Sequence, residues 1–175
     1  MKKYIGQLIK IKFKDMNPIN GIVLDFNKDW ILIKSNPVDY IIDGYFIIKN
    51  KNIIGVERGE SEKWKDKIIK LKGFKATNKM RIPLDNLEKI LKVLTNKFEI
   101  FTLYTKDDSI CWLGRLKTIN EKKLIIDDLN TKGQWNGQID FKLNEIRVIE
   151  FDTDYINSLK LVSKKGRAKV GSRYH

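Results

Sequence analysis

Two adjacent carboxylate pairs are the residues of this chain best suited to hold a metal ion or to exchange protons. Asp107 and Asp108 form one pair, and Asp127 and Asp128 form the other. Paired carboxylates bind hard cations and act as general acids and bases. Neighbours along a strand, however, point to opposite faces of a sheet, and no third ligand has a spacing that would join either pair. We therefore interpret both pairs as solvated turn or strand-end residues, with a metal or acid–base site as the alternative.

Nucleophilic catalysis is the second chemistry to consider. The chain has a single cysteine, Cys111, and a single histidine, His175, at its last position. A cysteine or serine nucleophile needs a nearby base. Cys111 adjoins Trp112 in an apolar segment, which predicts a buried structural cysteine. No glycine-rich phosphate loop precedes a helical pattern. The sequence thus predicts a protein without catalytic activity and without a cofactor.

Basic residues offer a third chemistry, the binding of polyanions. The formal net charge is +13, and the excess lies in two segments. Residues 61–97 carry 11 Lys/Arg and 4 Asp/Glu, and residues 156–175 carry 6 Lys/Arg and no acid. Clustered positive charge attracts nucleic acids through long-range fields and counterion release. RNA is therefore an expected partner, with Lys164, Lys165 and Arg167 as candidate contacts. The alternative explanation of the positive charge is a composition rich in Lys, Ile and Asn, which is typical of an AT-rich genome.

The elements that position these residues repeat. Residues 21–57 match residues 114–150 at a constant offset of 93 positions without a gap. Identical residues recur at this offset at Gly21/Gly114, Asn27/Asn120, Ile33/Ile126, Gly44/Gly137, Lys49/Lys142 and Glu57/Glu150. A repeat of this length indicates two copies of one small fold. We place the first copy at residues 1–60 and the second at residues 98–155.

Each copy has the pattern of five short strands. In the first copy, apolar alternation and turn residues predict strands near residues 9–13, 19–25, 30–34, 45–49 and 53–57. In the second copy, strands are predicted from residue 101 and at residues 110–118, 123–127, 139–143 and 146–151. Gly21 and Gly114 are interpreted as bend points in the second strand of each copy. The predicted fold is mainly β, with two five-stranded bent sheets that close into small barrels.

The segments outside the two copies have a helical pattern. Residues 61–72 place Trp64, Ile68 and Leu71 at helical spacing, and residues 84–95 form a clearer amphipathic helix. Its apolar face consists of Leu84, Leu87, Leu91 and Leu94. Residues 61–97 are thus expected to be a basic helical connector. Residues 156–175 are expected to form a short helix followed by a basic, mobile tail.

The residues around Gly21 resemble the first motif of the Sm-like (LSm) RNA-binding family. The matching residues are Gly21, Val23, Phe26, Asn27, Trp30, Ile31 and Leu32, and in the second copy Gly114, Leu116, Ile119 and Asn120. Residues 48–53 and 141–146 resemble the second motif of that family. The resemblance covers about two thirds of the chain. It implies two tandem Sm-like barrels. Residues 128–155, with Gly133, Trp135 and the Ile-rich strands, also resemble tandem Sm-like proteins of low-GC Gram-positive bacteria that have no assigned activity.

The family resemblance also implies where RNA would bind. Sm-like proteins hold a base with a stacking residue and an Asn in the first motif and with Arg-Gly in the second. Here Asp29 and Lys122 stand at the stacking places, and Ile31 and Leu124 at the Asn places, so the usual uridine pocket is expected to be absent. The candidate contacts beside the second motif are Lys49, Lys51 and Lys142, with solvated surface lysines as the alternative. Five aromatic residues are either stacking faces or packing residues: Trp30, Tyr40, Tyr45, Phe46 and Trp135.

The resulting hypothesis is a non-catalytic binding protein with weak sequence specificity for RNA. The alternative is a protein-interaction or scaffold module that presents strand edges to partners. No apolar run approaches 18 residues, and an alternating pattern follows the first three residues, Met-Lys-Lys. Together with the single cysteine, this predicts a cytoplasmic protein without a membrane partner. The sequence leaves the oligomeric state open.

Overall fold

Strands make up most of the structure. A computed structural model describes residues 1–77, 80–106 and 108–170, with side chains given up to residue 163. Within these residues there are ten strands and three α-helices. The strands are β1 (Leu8–Phe13), β2 (Ile19–Phe26), β3 (Trp30–Ser35), β4 (Tyr45–Lys49), β5 (Ile53–Glu57), β6 (Phe101–Tyr104), β7 (Cys111–Ile119), β8 (Lys123–Leu129), β9 (Trp135–Lys142) and β10 (Val148–Phe151). The helices are α1 (Glu60–Leu71), α2 (Leu87–Phe98) and α3 (Asp154–Val170).

The strands form one continuous antiparallel sheet and not two closed barrels. The strand order is β5-β1-β2-β3-β4-β10-β6-β7-β8-β9. The sequence predicts that each copy closes on itself, and the sheet of the described residues does not close. The reason is that β4 has two edges, of which β3 occupies one and β10 of the other half occupies the second. The mainly β composition is as predicted. In the single sheet, β5 and β9 lie at the two ends.

The two halves have the same strand order at the 93-residue offset. It is β5-β1-β2-β3-β4 in the first half and β10-β6-β7-β8-β9 in the second. The irregularities in the ladders also correspond. The β2–β3 register shifts between Val23 and Asp25, and the β7–β8 register shifts between Leu116 and Thr118. Each bulge lets its long strand bend strongly.

Glycine is required in the second strand of each half, because the backbone of the neighbouring strand lies very close to it. A Cβ atom at Gly21 would lie 2.6 Å from the carbonyl oxygen of Lys34. A Cβ atom at Gly114 would lie 2.1 Å from the carbonyl oxygen of Asp127. Both distances are shorter than a side chain tolerates against backbone. The close approach of the two strands explains why glycine recurs at this position in both halves.

The first half buries both faces of its strands. Alternate residues of β1 to β4 enter one core, which also receives side chains from β6, β8, β10 and α2. The residues between them enter a second core on the opposite face, where Val148 of β10 also lies. This double burial explains the near-continuous apolar run of β3. In β1, by contrast, the buried Ile9, Ile11 and Phe13 alternate with the half-buried Lys10 and Lys12. The second half has a smaller third core, in which Ile156 and Leu159 of α3 cover Ile100, Leu113 and Leu129.

Helix α2 begins three residues later than the sequence predicts. The side chain of Asn86 accepts a hydrogen bond from the backbone N–H of Lys89 and caps the helix, so Leu84 precedes it. The predicted apolar face is otherwise the face that packs. Leu91 and Leu94 are fully buried in the core shared by the two halves, and Leu87 is partly buried there. Helix α2 thereby joins β6 and β7 to the rest of the core.

Helix α1 packs with a different face from the predicted one. Trp64 and Leu71 are exposed, whereas Glu62, Asp66 and Ile69 are buried. Arg58 explains the difference, because its guanidinium donates to the carbonyl of Leu8 and to the carboxylate of Asp66. Glu62 accepts a hydrogen bond from the backbone N–H of Gly59 and forms an ion pair with Lys10. Polar contacts thus fix the orientation of α1 on β1, and apolar periodicity alone does not reveal them.

Helix α3 covers residues that the sequence assigns to a short helix and a mobile tail. Its backbone is helical to Val170, and residues 171–175 lie outside the described part of the chain. None of the helices in the described part combines the length and apolar character that spanning a bilayer requires.

Candidate nucleic-acid interface

A groove lined by residues of both halves and of α2 brings together two of the predicted site residues, Lys49 and Lys51. Its volume is about 680 Å³. We call it the basic groove, and its lining residues are Lys28, Asp29, Trp30, Lys49, Asn50, Lys51, Asp85, Asn86, Leu87, Leu143 and Asn144. They come from the β2–β3 turn, the β4–β5 turn, the start of α2 and the β9–β10 turn. Four segments that are distant in sequence therefore meet at one surface.

Two asparagines assemble the basic groove. The Asn27 Oδ1 accepts hydrogen bonds from the backbone N–H groups of Asp29 and Trp30 (2.9 and 2.8 Å), which fixes the β2–β3 turn. The Asn50 side chain donates to the carbonyl of Asn27 (2.9 Å), and the Asn50 backbone N–H donates to the carbonyl of Asp29 (2.8 Å). The Asn27 side chain in turn donates to the carbonyl of Leu84 (2.6 Å), just before α2. This chain of bonds joins both turns and the helix start.

Positive charge in the groove is only partly balanced. Among the described residues, no ion pair within 4.0 Å involves Lys28, Lys49 or Lys51. Burial, and then the charge of Lys51, lower the pKa of Lys49, which the charge of Asp29 partly offsets. An anion between the two lysines would relieve this repulsion.

The beginning of α2 adds partial positive charge to the same surface. Asn86 and Leu87 are the N-cap and first residue of a 12-residue helix, and both line the groove. The N-terminus of a helix carries a partial positive charge. Asp85 also lines the groove, but it is paired with Lys89 at 2.7 Å, and this hydrogen bond and charge lower the pKa of its carboxyl. The carboxylate of Asp85 is therefore partly neutralised by its own helix.

Most of the aromatic residues considered as stacking faces have packing roles. Trp30 is only 4% exposed, and Lys49 Nζ lies 5.7 Å from the centre of its ring. Tyr45 stacks on Phe151 with ring centroids 5.1 Å apart, and Phe46 packs against Tyr104 at 6.4 Å. Trp135 is half-buried beneath Arg115. Of the five, Tyr40 is the most exposed, at 37%.

The corresponding turn of the second half lacks the asparagine that joins the two turns of the first half. Lys142 is exposed at the end of β9, where its backbone N–H donates to the carboxylate of Glu145. The residue after it is Leu143, at the position of Asn50, and a leucine cannot donate the hydrogen bond that joins the two turns in the first half. Lys142 is not part of the groove wall, although the next two residues are. Of the three lysines predicted beside the second motif, Lys49 and Lys51 line the groove and Lys142 does not.

The side chains of Lys164, Lys165 and Arg167 lie outside the described residues, so their predicted contact with RNA has no structural counterpart here. Trp64 on α1 is an exposed aromatic residue that was not among the five stacking candidates. It is 57% exposed, and Lys67 Nζ lies 5.7 Å from the centre of its ring. The lysine-rich surroundings of Trp64 were the available signal.

The candidate metal-binding residues do not form a metal site within the described part of the chain. No group of three or more His, Cys, Asp or Glu side chains there is placed to hold a metal ion. The prediction that Asp127 and Asp128 are solvated is wrong, because Asp128 is buried and Asp127 pairs with Arg115 at 2.9 Å. Asp107 lies outside the described residues. Cys111 is exposed and not buried as predicted, because it is the first residue of β7 and lies at the end of the β6–β7 ladder. Although the residue is exposed, loss of part of the water around its sulfur, and then the charge of Glu150, raise the pKa of the Cys111 thiol and so disfavour the thiolate.

In comparisons with known proteins, no family model, curated protein or solved structure matches this chain.

Proposed function

We propose that this chain is a non-catalytic binding protein whose basic groove holds the phosphate backbone of single-stranded RNA. The observation that carries the proposal is the convergence of Lys28, Lys49 and Lys51 beside the start of α2. Three ammonium groups and a helix N-terminus favour phosphate, and the Asn27–Asn50 link holds the two lysine-bearing turns together. Phosphate contacts carry no sequence information, so binding of this kind is weakly specific.

The residues at the base-reading places support weak specificity. Ile31 is 1% exposed and Leu124 is fully buried, so neither side chain reaches solvent, and neither can form a hydrogen bond to a base edge. Trp64 offers an exposed ring on another surface, where bases of a longer RNA would stack beside Lys67. RNA would therefore be held by charge and stacking, and not in a uridine pocket.

The fold that we propose with this function is a tandem of two Sm-like halves joined edge to edge. The common strand order, the matching bulges and the paired Gly21 and Gly114 support a shared origin of the two halves. The two motifs that resemble the Sm-like family fall on the β2–β3 and β4–β5 turns and their counterparts. In the first half, these are the turns that line the basic groove.

Fluorescence anisotropy with a mixed-sequence, single-stranded RNA of about 20 nucleotides tests the proposal directly. We expect binding at low salt that weakens steeply as salt rises and that is similar for uridine-rich and mixed RNA. No binding at low salt, or strong preference for uridine tracts, would contradict the proposed mode of recognition.

A second candidate function, protein interaction or scaffolding, is favoured by the two ends of the sheet. The β4–β10 ladder joins the two halves. At the 93-residue offset β9 corresponds to β4 and β5 corresponds to β10, and these two strands lie at the free ends of the sheet. Edge strands of this kind accept an additional strand. Ile54 of β5 is 67% exposed, as expected for a residue that a partner covers. Size-exclusion chromatography with light scattering, with and without RNA, distinguishes an assembling protein from a monomer.

A further inference from the structure

A second cavity lies on the seam between the two halves, away from the basic groove. Its volume is about 260 Å³. The first half contributes the β1–β2 turn, the end of β3 with the residues after it, and Phe46 of β4; the second half contributes Tyr104, Val148 and Glu150 of β6 and β10. The space is large enough for a group of several heavy atoms. We call it the seam cavity.

The ionisable groups in the wall of the seam cavity are acids and a tyrosine. Asp43, Asp108 and Glu150 contribute carboxylates, and the described part of the chain contributes no Lys, Arg or His to the wall. Asp43 interacts electrostatically with Lys34. The Lys34 ammonium, however, lies 3.7 Å from the centre of the Tyr45 ring, and Tyr45 is on the face of β4 opposite to Phe46. The wall of the cavity is therefore acidic, although the chain as a whole carries a net charge of +13.

The uncharged part of the wall offers buried acceptors. Asn36 is 1% exposed, and its Nδ2 donates to the carbonyls of Asp39 (2.9 Å) and Ile41 (2.7 Å). These bonds fix the orientation of the amide and leave Oδ1 as a buried acceptor without a partner among the described residues. The Oδ1 of Asn20, also in the wall, is buried and unpartnered in the same way. A buried polar atom without a partner is costly. Neither oxygen is open to solvent, so a small side-chain shift would bring it to a ligand that donates hydrogen bonds, which would remove that cost.

Glu150 is the central acid of the cavity. Its Oε2 accepts a hydrogen bond from the Tyr104 hydroxyl at 2.7 Å, and in the β4–β10 ladder it stands opposite Phe46. Burial, and to a smaller extent the charge of Asp43, raise the pKa of Glu150 against the lowering effect of the Tyr104 hydrogen bond. A cation in the cavity would compensate the buried charge. The rings of Phe46 and Tyr104, 6.4 Å apart and tilted by 57°, add faces that attract cations.

We infer that the seam cavity binds an organic cation with several N–H donors, a guanidinium or an ammonium group. Carboxylates, unpartnered amide oxygens and aromatic faces together match the donors and the charge of such a group. Phosphate is excluded from this site by the three carboxylates, which separates it from the basic groove in both position and ligand. The cation is either a free small molecule or an Arg or Lys side chain of a peptide. The site does not depend on RNA binding.

Two-dimensional ¹H–¹⁵N NMR of the full chain tests the inference. The probes are methylguanidinium, methylammonium and a Gly-Gly-Arg-Gly-Gly peptide, each at low millimolar concentration, with inorganic phosphate as the anionic control. We expect the backbone amides of Phe46 and Val148 to shift with at least one cationic probe and not with phosphate. Tighter binding of the peptide than of methylguanidinium indicates a protein side chain as the natural occupant, and the reverse order indicates a free small molecule. Absence of shifts with all three cations overturns the inference.

Glu150→Gln provides the decisive variant, because it removes the charge and keeps an acceptor for the Tyr104 hydroxyl. We expect it to weaken cation binding at least about tenfold, the effect of losing a charge-assisted hydrogen bond. Glu121→Gln, a matched change at an exposed turn outside the cavity, should bind as the unchanged chain does. Equal affinity of the Glu150→Gln variant and the parent overturns the inference. If that variant lacks a native spectrum, Asp43→Asn, which retains an acceptor for the backbone N–H of Asp154, is judged by the same criterion.

Discussion

Removing the three groove lysines should reduce the salt dependence of RNA binding by an amount that can be worked out from the structure. Lys28, Lys49 and Lys51 line the basic groove and lack ion-pair partners among the described residues, so each is free to contact one phosphate. At about 0.7 units of slope per single-strand phosphate contact, the triple Ala variant should lose about 2 units from the slope of log K against log salt. The fourfold salt increase from 50 to 200 mM would then cost the parent about 20-fold more affinity than the variant.

A matched control keeps the change in net charge and leaves the groove unaltered. Lys12, Lys63 and Lys92 are each paired with a carboxylate, namely Glu57, Glu60 and Glu88, and none of the three lines the groove. The triple Ala variant of these residues also loses three positive charges, but its slope should remain close to that of the parent. Fluorescence anisotropy over a salt series measures both variants. Equal loss of slope in the two variants would refute the groove, because net charge alone would then explain binding.

The remaining predictions concern the shared core, the seam cavity and the tail. Leu91→Ala should lower the free energy of unfolding by about 2–5 kcal/mol, whereas Leu71→Ala, at a 77% exposed site, should change it by no more than about 0.5 kcal/mol, as measured by urea denaturation. Because the pKa of Glu150 is raised from 4.5, the folded state binds more protons than the unfolded state above pH 4.5, so the free energy of unfolding falls as pH rises through that window. Glu150→Gln should remove this part of the decline in a series of thermal melts. An unchanged pH profile would contradict the prediction. Deletion of residues 163–175 should weaken RNA binding and lower the slope by up to roughly 3–4 units, and an unchanged slope would show that the tail makes no phosphate contacts.

The mainly β composition and the positions of the strands were the parts of the fold that sequence could predict best. Paired glycines, hairpin asparagines and apolar alternation recur at one offset, so the positions of most strands follow from local pattern. Closure of the sheet could not be predicted in this way. Which strand occupies the second edge of β4 depends on a partner about 100 residues away, and β4 and β10 present similar apolar faces to any neighbour.

The groove and the orientation of α1 depend on polar contacts that have no periodic signature. Asn27 and Asn50 belong to turns, where asparagine is common for local reasons, and only the folded chain shows that they bond to each other. Likewise, Asp66 on α1 looks like a solvent-facing residue until Arg58 is seen beside it. The resemblance to Sm-like motifs named Lys49, Lys51 and Lys142 as candidate contacts. Only the folded chain shows that Lys49 and Lys51 line the groove and that Lys142 is not among its lining residues.

The location of bound RNA is the most direct test of the central claim. ¹H–¹⁵N NMR of the full chain, titrated with a short mixed-sequence RNA at low salt, reports which backbone amides sense the ligand. Binding in the basic groove predicts the largest shifts at residues 28–30, 49–51 and 85–87, which come from three separate segments of its wall. Shifts confined to other surfaces, or no shifts at RNA concentrations that saturate the anisotropy signal, would contradict the account.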